Sequence, residues 1–224
     1  MLPLTDYIPT RRKPVMTFTL IALNILVFLY ELANGSSQEI ITGLGLLPSM
    51  ATAHPLAFET WRHVLSSMFT HGGFAHIAFN MLYLWIFGNN VEDMMGSFKF
   101  LIFYLLAGAL AAGTHIVMSP HSQVPMVGAS GAIAGVLGAY VVLFPRARVR
   151  TLIFLGAFVR ISDLSALWVL GSWFVLQLIS GVANIGNLSG GGVAFWAHIG
   201  GFVAGVVLVR LFAQKPKQFH YRTR

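Results

Sequence analysis

Long apolar runs separated by short polar segments dominate the pattern of this chain. A hydrocarbon core about 30 Å thick takes roughly 20 helical residues to cross, so runs of this kind indicate membrane helices. We predict six, over these approximate ranges: 15–33, 75–87, 100–118, 130–144, 166–183 and 195–212. The pattern therefore predicts an all-α polytopic membrane protein with six transmembrane helices.

The fourth run is too short to cross the bilayer. A helix from Ser130 to Phe144 rises only about 22 Å, so it is expected to begin inside the membrane, below irregular backbone at 125–129. Such backbone is tolerated at that depth only if it is buried in protein or lines a wet cavity. The sequence thus predicts a water-accessible serine at a helix N-terminus. The alternative is a packing seam, because Gly131 and Gly135 form a GxxxG pair.

Two segments outside these runs carry apolar residues but are not predicted to cross the membrane. The segment from Asn34 to Gly73 is broken by Pro48 and Pro55, and we expect a long, structured external loop with short interfacial helices. The segment 146–163 has an apolar core of eight residues flanked by arginines, which cannot cross a bilayer as a helix. We expect this segment to lie at the interface, with its arginines on lipid headgroups.

The composition supports a membrane protein and excludes several kinds of chemistry. Of 224 residues, 56% are hydrophobic and only 9% charged, with a mean hydropathy of +0.75. The absence of cysteine excludes disulfides, thiolate metal sites and a cysteine nucleophile. The sequence has no His-Glu-x-x-His motif, and no metal or other cofactor is expected. The net charge of +7 does not require a nucleic acid partner, because its placement has another explanation.

The basic residues predict the orientation in the membrane. If the amino terminus is cytoplasmic, 13 of the 14 lysines and arginines lie on the cytoplasmic side of the membrane, and Arg62 alone lies on the outer side. The positive-inside rule therefore predicts that both termini are cytoplasmic. We divide the chain into a short basic amino-terminal segment (1–14), a membrane domain (15–212) and a basic tail (213–224).

Four polar side chains are predicted to lie together in the outer half of the bilayer. His76 and Asn80 are four residues apart and share one helix face near the outer end of the second span. Ser130 begins the fourth span, and His198 lies near the first turn of the sixth. Polar residues at this depth are costly and generally mark function.

These residue types suit acyl transfer. A serine hydroxyl needs a neighbouring base, and histidine is the usual one. Asn80, His76 and the backbone N–H groups of Ser130 and Gly131 could donate to an oxyanion. No Asp or Glu lies in the interior of a span, so the residues indicate a Ser–His dyad with a non-carboxylate partner for the histidine. A channel or transporter is the alternative, with the polar cluster as a pathway.

The chain resembles the rhomboid family of intramembrane serine proteases, in its prokaryotic six-span form, over about Trp61 to Gly205. The matching motifs, in order along the chain, are Trp61-Arg62, His76-Ile77-Ala78-Phe79-Asn80, Glu92 with Gly96, Gly128-Ala129-Ser130-Gly131 and Ala197-His198-Ile199-Gly200-Gly201-Phe202-Val203-Ala204-Gly205. The resemblance implies that Ser130 is the nucleophile, His198 the base, and Asn80 and His76 oxyanion residues. A non-catalytic relative that only binds membrane helices would usually lack Ser130 or His198.

The resemblance also implies a substrate, a location and one departure from the family. Its substrates would be transmembrane helices of membrane proteins, cleaved near the outer face without metal or cofactor, and the location would be a bacterial inner membrane. Phe79 resembles the aromatic that lines lateral substrate entry between spans two and five. Many members carry an aromatic one turn after the serine, against the histidine ring, but this chain has Ala134. Either another aromatic residue supports the histidine ring, with Trp196 as the candidate, or the histidine is held more loosely. The oligomeric state is left open.

Overall fold

The computed structural model describes residues 1–34, 37–156, 158–184 and 193–213. The ten α-helices in these ranges are α1 (Val15–Ala33), α2 (Ser37–Leu44), α3 (Pro48–Ala53), α4 (Phe58–Ser67), α5 (Phe74–Tyr83), α6 (Asn89–Met95), α7 (Ser97–Met118), α8 (Ser130–Leu143), α9 (Ala166–Ala183) and α10 (Phe195–Phe212). The three strands there are β1 (Leu2–Asp6), β2 (Arg148–Leu155) and β3 (Phe158–Ser165). The predicted basic tail lies outside the described residues except for Ala213.

Four of the described helices, α1, α7, α9 and α10, are long and apolar enough to cross a membrane. The predicted ranges 15–33, 166–183 and 195–212 coincide with α1, α9 and α10, and α7 begins three residues earlier than predicted. Helix α8 has 14 residues and begins at Ser130, as its short apolar run predicted.

The second predicted span belongs to a longer helical segment that changes its winding. Helix α5 is followed by a π-helical turn at Leu84–Gly88 and then by α6, so the segment continues past the predicted end at 87. Gly88 packs beside Thr17 of α1, where an added Cβ would lie 3.3 Å from the threonine methyl carbon. The segment ends at Gly96, whose φ of 81° favours glycine.

The prediction of an all-α fold is wrong, because the described chain also contains a three-stranded antiparallel sheet in the order β1-β2-β3. The arginine-flanked segment forms the β2–β3 hairpin, which turns beside Gly156. In β2, exposed Arg148 and Arg150 alternate with buried Val149 and Thr151, which is the period of a strand. The amino-terminal segment supplies β1, in which Leu2 pairs with Leu152.

Helix α8 occupies the centre of the helical bundle. Every residue from Ala132 to Tyr140 is buried, chiefly against α7 and α10. The close approach depends on small residues: a Cβ at Gly205 would collide with the carbonyl oxygen of Gly135. The small-residue seam suggested by the GxxxG pair is therefore present, and it fixes the distance between the helices that carry Ser130 and His198.

The segment between α1 and α5 contains short helices, as predicted, and it supports the loop ahead of α8. Leu46 forms an isolated antiparallel bridge with Met126. The N–H of Gly128 donates to the carbonyl oxygen of Ser67, the last residue of α4, at 2.8 Å. The irregular backbone that precedes Ser130 is thus hydrogen-bonded to neighbouring segments; residues 125–128 are partly buried and Ala129 is fully buried.

Candidate active site

Ser130 and His198 are hydrogen-bonded. The serine is the first residue of α8, directly after the fully buried Ala129, and the histidine lies in the first turn of α10. Serine Oγ and histidine Nε2 are 2.7 Å apart. Two side chains separated by 68 residues meet because α8 and α10 pack through their glycines.

The other ring nitrogen of His198 has a partner that sequence reasoning missed. Nδ1 lies 2.8 Å from Oε1 of Gln177, on α9. An amide oxygen can only accept, so Nδ1–H donates to it and Nε2 is left to accept the serine proton. A signal was available, because Gln177 is a strongly polar residue inside an apolar run, and such residues tend to face functional cavities.

An aromatic ring from α9 also lies against His198. The ring centroids of Trp173 and His198 are 5.7 Å apart, with an angle of 37° between the planes. Ala134, at the position where the resemblance led us to expect an aromatic, is fully buried. Trp196, the suggested replacement, packs beside α9, where a Cβ on Gly181 would be 3.5 Å from its Cε2.

His76 and Asn80 project from α5 toward the loop before Ser130. Asn80 is only 7% exposed, and its Nδ2 has no hydrogen-bond partner among the described residues. Gly128, with a φ of 118°, lies beside both side chains: an added Cβ would be 3.6 Å from Asn80 Nδ2 and 2.6 Å from His76 Nε2. The N–H of Gly72 donates to His76 Nδ1 at 3.4 Å, which leaves His76 Nε2 as a donor.

Backbone donors complete this side of the site. The first intrahelical hydrogen bond around α8 runs from the N–H of Ile133 to the carbonyl oxygen of Ala129, at 3.0 Å. The N–H groups of Ser130 and Gly131 precede it, so they have no carbonyl partner within the helix. The positive end of the helix dipole adds to the attraction of a negative charge at this point.

These groups line one cavity of about 1150 Å³. Its lining includes Ser130, His198, Asn80 and His76 at the polar end, and it reaches Phe79 on α5 and Trp173 on α9. Phe79 is 53% exposed, so it borders the cavity and the outer surface of the bundle at once. Within the described ranges, no three His, Asp or Glu side chains come together as metal ligands.

Comparison with known proteins matches residues 57–215 to the Rhomboid domain family. The chain is similar to "Rhomboid protease GluP" of Bacillus subtilis, with 39% identity over 187 residues, which are 80% of this chain and 34% of that protein. It is 29% identical to "Rhomboid protease GlpG" of Salmonella paratyphi A over 68% of this chain and 49% of the relative. It is 32% identical to "Rhomboid protease AarA" of Providencia stuartii over 57% and 50%, respectively. The chain thus spans about a third to a half of the length of these relatives.

Proposed function

Because the chain belongs to the rhomboid family, we propose that it is an intramembrane serine endopeptidase that cleaves transmembrane helices of membrane proteins near the outer face. The observation that carries this proposal is the 2.7 Å contact between Ser130 Oγ and His198 Nε2 inside a cavity. A pathway for ions or solutes would need polar side chains, but it would not need a hydroxyl paired with an imidazole. The similarity to relatives named rhomboid proteases supports the same conclusion.

Catalysis would begin at the Ser–His pair. His198 Nε2 takes the proton from Ser130 Oγ as the oxygen attacks the carbonyl carbon of the scissile peptide bond. The imidazolium then gives that proton to the leaving amine nitrogen, and the C–N bond breaks to leave an acyl-enzyme. Water, deprotonated by the same Nε2, attacks the acyl carbon and restores the serine.

The negative charge on the tetrahedral intermediate would be held by donors from two helices. The unpartnered Nδ2 of Asn80 and the Nε2–H of His76 come from α5, and the N–H groups of Ser130 and Gly131 come from α8. Donors held in place by the protein stabilise a developing oxyanion strongly, because they need no reorganisation at the moment of reaction. The buried Nδ2 of Asn80, which has no hydrogen-bond partner in the described part of the chain, is in the state expected of such a donor before substrate arrives.

Substrate would enter sideways between α5 and α9, past Phe79. The cavity reaches both helices, and α9 packs mainly on α10. A helix that enters here must unwind locally to present a peptide bond to Ser130. Substrates with small or helix-breaking residues near their outer ends would therefore be preferred.

We assign six spans, with both termini cytoplasmic, in a bacterial inner membrane; the oligomeric state is left unassigned. The second span would be the continuous helical segment from α5 to α6, and the fourth would be α8, whose short length is compensated by protein on all sides. Arg146, Arg148 and Arg150 follow α8 at its carboxyl end and would mark the cytoplasmic side.

Covalent labelling tests the proposed chemistry directly. The purified full chain should react with a fluorophosphonate probe and cleave a transmembrane substrate, and Ser130→Ala and His198→Ala should lose both activities by orders of magnitude while still inserting and folding. The loss follows because the hydroxyl is a poor nucleophile without its base. Labelling of Ser130→Ala at the rate of the unmodified chain would refute the assignment of the nucleophile.

A further inference from the structure

We propose that Gln177 and Trp173 are positioning residues for His198, so that the base is held by α9, the helix that borders the substrate entrance. The inference rests on the proposed protease activity and goes beyond it, because neither residue belongs to the dyad or to the oxyanion donors. Both residues lie one helical turn apart on α9 and reach His198 from the same helix face.

Gln177 fixes which nitrogen of His198 can act as the base. The chain of contacts runs from Gln177 Oε1 to Nδ1 at 2.8 Å and from Nε2 to Ser130 Oγ at 2.7 Å. An acceptor at Nδ1 holds the proton there, which is the tautomer that leaves a lone pair on Nε2. In serine hydrolases with a triad, a carboxylate has this role and also stabilises the imidazolium.

A neutral amide suits this depth in the protein. A buried carboxylate would have to remain ionised in a low dielectric, at a large desolvation cost. The amide orients the ring without a charge, but it stabilises the imidazolium less than a carboxylate would. Gln177 therefore accounts for a base whose Nδ1 partner is an amide rather than a carboxylate.

Trp173 supports the face of the ring. It lies 5.7 Å from His198 and 6.4 Å from Phe202, centroid to centroid, so it spans the turn of α10 that contains the base. At the position on α8 where the resemblance places an aromatic residue, this chain has Ala134. The aromatic support that the resemblance places on α8 thus comes from α9 in this chain.

The position of α9 consequently determines whether the His198 ring is held in the orientation and tautomer that a base requires. In the apolar stretch of α9, 22% of the residues are buried inside the protein, compared with 28% to 39% in the other three long apolar helices. A substrate that pushes α9 away from α10 would separate Gln177 and Trp173 from His198.

The test uses the pH dependence of fluorophosphonate labelling and of cleavage by the full chain in vesicles. Gln177→Leu removes the acceptor, and we expect a loss of about tenfold or more in kcat with little change in KM, because a ring without its partner samples the wrong tautomer. Gln177→Glu restores an acceptor and adds a charge. It should regain most of the rate, with the acid limb of the profile moved to higher pH by about one unit or more.

Other titratable residues line the same cavity, namely His76 and Tyr83 on α5, His115 on α7, His121 in the loop after α7, and Met1. They are the same in every variant, so a shift between Gln177→Leu and Gln177→Glu comes from position 177. Trp173→Phe should keep more activity than Trp173→Ala. Leu176→Ala, on the exposed side of α9, is the matched control and should label like the unmodified chain.

The outcomes separate the two proposals. If the unmodified chain does not label, the serine protease assignment fails and the role of Gln177 fails with it. If the unmodified chain labels but Gln177→Leu matches its rate and profile, the positioning role alone is overturned. Equal losses in Gln177→Leu and Gln177→Glu with unshifted profiles would also overturn it, because a purely structural site does not distinguish an acceptor from a methyl group.

Discussion

The carboxylate of Glu92 holds Thr17 by two hydrogen bonds. Its Oε2 accepts the backbone N–H and the hydroxyl of Thr17, each at 2.7 Å. Its Oε1 accepts the N–H of Met16 at 2.9 Å and the hydroxyl of Ser97 at 2.6 Å. One buried negative charge therefore satisfies the first turn of α1, where the helix dipole favours an anion, and joins α1 to the start of α7.

Glu92→Gln should destabilise the fold by about 2–3 kcal/mol. The amide NH₂ would face donors that now bind a carboxylate oxygen, which leaves buried groups unsatisfied. The measurement is the free energy of unfolding of the purified chain in detergent. Glu59→Gln is the control, because Glu59 is in an exposed ion pair with Arg62 and its loss should cost less than about 1 kcal/mol. Equal effects of the two changes would contradict this assignment.

Asn80→Ala should slow cleavage by roughly tenfold to a hundredfold, which is less than the 10²–10³ typical of a dominant oxyanion donor. His76 and the backbone N–H groups of α8 share the charge, so part of the stabilisation remains. The comparison is kcat for Asn80→Ala, Ser130→Ala and Glu31→Gln with one substrate. Glu31, which accepts the N–H of His71, has no contact with His198, and Glu31→Gln should cleave within a few-fold of the unmodified chain. If Asn80→Ala were less active than Ser130→Ala, the assignment of Ser130 as nucleophile and Asn80 as oxyanion donor would be contradicted.

Asp6 should make the stability of the fold depend on pH. Burial raises the pKa of Asp6 from 3.8 to about 6, although the hydrogen bond from Tyr140 opposes the shift. The folded chain then holds the proton more tightly than the unfolded chain, so this stabilisation is complete below about pH 4 and is lost as the pH rises through about 6. The change is about 3 kcal/mol at most.

Asp6→Asn should flatten this dependence, since asparagine does not ionise and its carbonyl oxygen can accept the bond from Tyr140. Unfolding free energies at pH 4.5 and pH 7 measure the difference. Asp163→Asn is the control at an exposed position of the sheet, beside Arg150. If the pH dependence of the unfolding free energy persists in Asp6→Asn and vanishes in Asp163→Asn, the effect comes from Asp163 and the assignment to Asp6 is wrong.

Substrate choice should follow the ease of unwinding. A transmembrane substrate with Gly-Ala near its outer end should be cleaved faster than the same substrate with Leu-Leu, by about tenfold, because glycine weakens a helix and both small residues reduce bulk. The measurement is kcat/KM for the pair in vesicles. Equal rates would mean that local unwinding is not the step that selects the substrate.

The topology can be tested without any activity. A cysteine placed at Ser122, after α7, should react with an impermeant thiol reagent in intact cells, and one at Ser162, in β3, should react only after permeabilisation. The two positions lie beyond opposite ends of α8, and the chain has no other cysteine. The reverse pattern would place the carboxyl end of α8 outside.

The sequence was sufficient for the start of α8 and for the meeting of Ser130 with His198, because membrane depth follows from helix length and polarity. Gln177 was overlooked because its partner is on another helix, and no spacing along the chain relates the two. The sheet was missed for two different reasons. The alternation in β2 is a local signal that was available, whereas the pairing of Leu2 with Leu152 joins distant parts of the chain and leaves no local pattern.

The pairing of β1 with β2 constrains the order in which the chain assembles during synthesis. β1 precedes α1 along the chain, and every helix from α1 to α8 is made before β2 exists. The edge of β1 therefore stays unpaired until α8 has been synthesised, and the sheet closes late. Chains stopped before Arg148 should leave Leu2–Asp6 open to an added protease, and protection should begin only once β2 has emerged. Residues 2–6 are thus made before α1 but are paired only after α8.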